Sequence, residues 1–141
     1  MKDGIQTLLA EAGESGCYAI CLVKVAEKYK KKEFDLMKSI QLGIDKKCIL
    51  YNRNDRNDND NFFVCNPATF LYYLTGVHWS CEKKDYPYTE KKGEYLIERW
   101  ERNKTGVISA HFEMSDFHPI ENSLTVRYGR LVSYRVLKPV K

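Results

Sequence analysis

From residue 17 to residue 29 the chain reads CYAICLVKVAEKY, with Tyr18, Cys21, Leu22 and Val25 recurring at helical spacing and Ile20 beside them. Lys24, Glu27 and Lys28 are the charges of this stretch, and they turn away from that broad apolar face. A helix of this kind has to run through a core, because leaving it on a surface would expose most of its side chains to water. The residues before it, Ala12-Gly13-Glu14-Ser15-Gly16, are small or polar and break a shorter helical pattern carried by Ile5, Leu8 and Leu9. The long helix is therefore expected to open at Cys17. A thiol there meets unpaired backbone N–H groups and the positive end of the helix dipole, which favour the thiolate that attacks carbonyl carbon.

Beyond this helix, residues 33–42 carry Phe34, Met37 and Ile40 at helical spacing, and Gly43 is expected to close that helix in the left-handed conformation. Residues 48–51 read as a short strand, 52–61 as a polar Asn/Asp-rich surface loop, and 62–65 as apolar structure. Asn66-Pro67 combines a capping residue with proline at the first helical position, predicting a short helix through Leu74 that stops at Gly76. Residues 77–83 alternate as a strand does, and 84–93 form a charged, tyrosine-rich loop. Residues 95–100 lean toward strand on their aromatic and β-branched content. Strands are expected at 106–114, 123–128 and 131–137, the last two joined through Gly129 as a tight hairpin. Helices first and antiparallel strands last imply an α+β domain with the long helix packed across a sheet.

At 141 residues, 43% of them apolar, the chain forms one domain, 1–141, with a core that needs no disulfide or metal staple. The net charge of +4 comes from scattered lysines, apart from Lys28 and the run Lys30-Lys31-Lys32, where cations suit a helix C-terminus. Such a balance does not call for a nucleic-acid partner. No signal-like start and no apolar run near ~18 residues is present, so a soluble, cytoplasmic protein without a membrane segment is expected. Five irregularly spaced cysteines, Cys17, Cys21, Cys48, Cys65 and Cys81, fit reduced thiols better than a disulfide framework.

Among these thiols Cys17 stands apart by its position, whereas Cys21 and the others read as core residues. The strand-like Val107-Ile108-Ser109-Ala110-His111-Phe112 carries a histidine able to take a thiol proton, and Asp116 and His118 follow as candidate orienting groups. If Met114-Ser115 forms a two-residue turn, His118 faces His111 across the hairpin; if the turn is wider, Asp116 reaches back to it. Cys17 and Cys21 lie one helical turn apart, yet no C-x-x-C or H-x-x-x-H spacing accompanies them, so no metal or other cofactor is expected. The 52–61 loop lacks the glycine and terminal Glu of an EF-hand. His78, beside Trp79, reads as a packed or surface histidine. Tyr72-Tyr73 and Tyr86-x-Tyr88 are candidates for a recognition surface.

Taken together, Gly16-Cys17-Tyr18, Ala110-His111-Phe112, Asp116 through Pro119, and the closing Ser123-x-Thr125-Val126-x-x-Gly129 with Ser133-x-Arg135-Val136 resemble the papain-like cysteine peptidase superfamily. The likeness is to double-glycine leader peptidases and to small papain-like proteins of phages and spirochaete plasmids. It implies a helix bearing the nucleophile at its N-terminus, packed on an antiparallel sheet that bears the base. It also implies a peptidase or amidase in which Cys17 attacks a peptide or amide carbonyl, His111 moves the proton, and Asp116 or His118 orients it. Family members often use an upstream Gln as an oxyanion donor, and Gln6 is the candidate here although it lies eleven positions before Cys17. The implied partner is a peptide or protein substrate. The alternative on the same fold is a catalytically silent binding protein, such as a phage- or plasmid-encoded factor that docks on a host protein.

Overall fold

The computed structural model describes residues 14–51, 62–104, 107–119 and 129–140. Helix α1, Glu14–Lys30, starts three residues earlier than the periodicity predicts and ends in Lys28 and Lys30, cations placed at the negative end of the dipole. Its residues from Cys17 to Val23, with Val25 and Ala26, are buried, so the helix is the centre of the molecule rather than a lid on it. The chain reverses after Lys31, whose φ is 56°. Buried Glu27 fixes the turn by accepting a hydrogen bond of 2.9 Å from the Phe34 N–H.

Helix α2, Leu36–Asp45, is capped by Asp35, whose carboxylate accepts from the Lys38 N–H at 2.9 Å. Gly43 does not end this helix. It lies inside the last turn, and the left-handed residue is Lys47. The glycine is needed for space: a Cβ placed on it would sit 2.5 Å from Ile49 Cδ1 and 2.9 Å from Phe70 Cε1. Strands β1, Ile49–Tyr51, and β2, Phe62–Val64, form a two-stranded antiparallel ribbon. Its Ile49–Val64 pair is buried and its Leu50–Phe63 pair exposed. Helix α3, Pro67–Thr75, has the expected ends: Asn66 accepts from the Thr69 N–H at 3.2 Å, proline opens the first turn, and Gly76 caps it at φ 83°. Thr75 then ties α3 to the sheet, donating to the Leu71 carbonyl at 2.7 Å and accepting from Trp79 Nε1–H at 2.9 Å.

The main sheet contains β3, Trp79–Asp85, β4, Tyr95–Lys104, β5, Val107–Glu113, and β6, Arg130–Pro139, in the antiparallel order β3-β6-β4-β5. The last strand is thus inserted between the first and second. From Ser133 to Leu137 both edges of β6 are occupied, by β3 and β4. The expected strand at 123–128 falls outside the described residues. Trp79, Ile97, Phe112 and Leu137 are the sheet's buried contribution to the core around α1. The Tyr18 ring stacks on Phe112 at 4.6 Å and its hydroxyl lies 3.7 Å from Cys81 Sγ. The molecule is α+β with helices preceding an antiparallel sheet, and no helix among the described residues is long and apolar enough to cross a membrane.

Candidate functional site

Cys17 is the fourth residue of α1, and 1% of its surface reaches solvent. One turn on, Cys21 is fully buried, and that burial pushes its thiol well above the usual range, with Cys17, Glu113 and Glu98 adding to the effect. The surroundings of Cys21 therefore hold its thiol neutral, and the burial of Cys17 contrasts with the electropositive, partly exposed setting that a catalytic cysteine needs. None of the five cysteines is in a disulfide, and Cys65 is the exposed one.

His111 sits on β5 and is 4% exposed. Because Phe112 turns to Tyr18 of α1, strand alternation turns His111 and Glu113 to the other side of β5. The elements bearing Cys17 and His111, α1 and β5, pack against each other. The His111 Nε2 atom is buried without a hydrogen-bond partner among the described residues, and its nearest carboxylate oxygen is Glu113 Oε2 at 3.7 Å.

The turn after β5 is shifted by one residue from the Met114-Ser115 turn considered above. Met114 and Phe117 exchange backbone hydrogen bonds of 2.8 and 3.2 Å, leaving Ser115-Asp116 as the two-residue loop. That shift changes each neighbour across the hairpin, since register slips move whole sets of side chains. His118 comes to face Glu113 rather than His111, with its Nδ1 2.6 Å from Glu113 Oε2. Asp116 projects from the loop into an ion pair with Lys28 of α1, and that contact holds its carboxyl below the usual aspartate range. Neither candidate orienting group, Asp116 or His118, is therefore placed on His111. The carboxylate beside His111 is Glu113, 2% exposed, which sequence reasoning did not single out. The available signal was one glutamate in the apolar run His111-Phe112-Glu113-Met114, where a strand side chain is expected to be buried. Gln6 falls outside the described residues.

Glu98 pairs directly with Glu113 across β4 and β5. Burial pushes its carboxyl above the usual range and Glu113 adds to this, against the hydrogen bond of 3.1 Å that Trp100 Nε1–H donates to Oε1. Two histidines and two glutamates thus lie together at this end of the sheet. Among the described residues no group of three or more His, Cys, Asp or Glu is arranged to hold a metal ion. His78 stacks on Tyr72 at 4.6 Å, away from this cluster.

Comparison of the chain with family models, with curated proteins and with solved structures finds no match in any of the three.

Proposed function

We propose that this chain is a catalytically silent binding protein on a papain-like layout, with a protein or peptide as its partner. The observation that carries the reading is the burial of Cys17 within the core, where 1% of its surface reaches solvent. A thiol shut off from solvent gains nothing from the helix N-terminus, because the substrate carbonyl cannot approach it. The test is the labelling order of the five cysteines by iodoacetamide at neutral pH, read by mass spectrometry on native protein. Cys65 should label first and Cys17 no faster than Cys21. Labelling of Cys17 at or above the rate of Cys65 would overturn the proposal.

A hydrolase reading has one specific support, the buried His111 imidazole with the Glu113 carboxylate 3.7 Å away, a gap that has to close to a hydrogen bond before the carboxylate orients the base. Under that reading Glu113 takes the role expected of Asp116. It requires Cys17 to become accessible, and rapid labelling of Cys17 together with amide turnover that Cys17→Ala abolishes would establish it.

A further inference from the structure

Strand β4 outruns its neighbour: pairing with β5 begins at Glu98 opposite Glu113, so Tyr95 to Ile97 extend past the end of β5 among the described residues. The corner left open holds a cleft of about 220 Å³. The Met114-Ser115-Asp116 turn and Lys28 line it, together with an aromatic wall made by the neighbouring Tyr88 and Tyr134. Cofactor and drug-sized ligands occupy pockets of roughly 300 Å³ or more, so this space suits one long side chain.

The lining also specifies the charge of the occupant. It offers one cation, Lys28, against three carboxylates, those of Glu90, Glu98 and Asp116. Lys28 is already committed to Asp116, which leaves no lining cation for Glu90 or Glu98. This local negative excess occurs in a chain whose net charge is +4. The carboxyl of Glu98 is partly desolvated and raised above its usual range, and an incoming cation would relieve that. The aromatic wall is braced: the Tyr88 hydroxyl donates to Glu94 at 2.9 Å, and the Tyr134 ring lies 6.2 Å from Tyr88 and 6.5 Å from Tyr86. Tyrosine faces and a carboxylate together form the usual receptor for a desolvated cation.

We propose that this cleft takes the guanidinium or ammonium group of one basic side chain on a partner peptide. The cation would lie against the Tyr88 and Tyr134 rings with its charge on Glu98 and Glu90. This deepens the binding-protein reading and rests on it.

The experiment titrates native protein with Ac-Gly-Arg-Gly-NH2 and with its citrulline analogue, the isosteric neutral peptide, following backbone amides by nitrogen-15 NMR. The arginine peptide should shift the amides of Tyr88, Leu96, Ser115 and Tyr134, and the citrulline peptide should not. Glu98→Gln should weaken binding at least fivefold; Tyr88→Leu, on a surface loop, gives an independent second variant with the same expected direction. Equal shifts from both peptides, or arginine-specific shifts elsewhere, would overturn the proposal. Iodoacetamide labelling of the same samples separates the two claims. An inert Cys17 with no arginine binding sinks the cleft alone, and a reactive Cys17 sinks the silent-protein reading whatever the cleft binds.

Discussion

Replacing Gly43 by alanine sets two effects of known sign against each other. Alanine is the better helix former by about 1 kcal/mol, and Gly43 lies inside α2 with ordinary helical geometry, so propensity alone predicts stabilisation. The new methyl, however, would meet Ile49 Cδ1 at 2.5 Å and Phe70 Cε1 at 2.9 Å, both closer than carbon atoms tolerate. The Ile49 methyl is the far end of a flexible side chain, but Ile49 is 1% exposed and Phe70 is fully buried, so neither has empty space to move into. Overpacking a filled core costs about 1–3 kcal/mol, and subtracting the propensity gain leaves a net destabilisation of about 1 kcal/mol. For a domain of this size that lowers Tm by about 4 °C. Thermal unfolding followed by circular dichroism, with urea unfolding for the free energy, measures it. Ile49→Val removes the nearest clashing atom, so the double variant should lose less stability than the sum of the two single variants. A Gly43→Ala protein as stable as the parent, or more so, would show that the contact between α2, β1 and α3 yields freely and would refute the packing argument.

Thr75→Val keeps the shape of the side chain but leaves the buried Trp79 indole N–H without its acceptor, at an expected cost of about 1–3 kcal/mol in urea unfolding; an unchanged midpoint would mean that Trp79 finds another partner. Asp116→Asn should change stability at neutral pH by less than about 1 kcal/mol, since the Lys28 pair is solvent-exposed. Its pH dependence has a definite sign: the folded state holds Asp116 below its ordinary range, so the pair's contribution is present at neutral pH and is lost as the pH falls through the acid range. The variant should therefore show a flatter decline of Tm on acidification, and an identical acid profile would argue that the pair contributes nothing.

Helix α3 was legible because its ends are local chemistry: Asn66 caps a turn three residues away, Pro67 presets its own φ, and Gly76 adopts a conformation costly for other residues. The central helix was legible for the same kind of reason, since the apolar spacing from Tyr18 to Val25 follows from helical geometry alone and implies a core position. Gly43 shows where local reasoning stops, because a glycine ending a helix and one making room for Ile49 and Phe70 look alike in sequence. The insertion of β6 between β3 and β4 was decided by contacts between residues about thirty to sixty positions apart, such as Cys81 with Leu137. The candidate site depended on a still finer choice. Whether the turn after β5 falls on Met114-Ser115 or on Ser115-Asp116 is a difference of one residue, and strand alternation converts it into a different set of partners. Tertiary packing against Lys28 and Lys24 of α1 surrounds the Ser115-Asp116 loop, drawing Asp116 to the helix and Phe117 beneath Lys24. It thereby puts His118 and His111 on Glu113, an assignment that no spacing in the chain could make because both registers satisfy the same alternation.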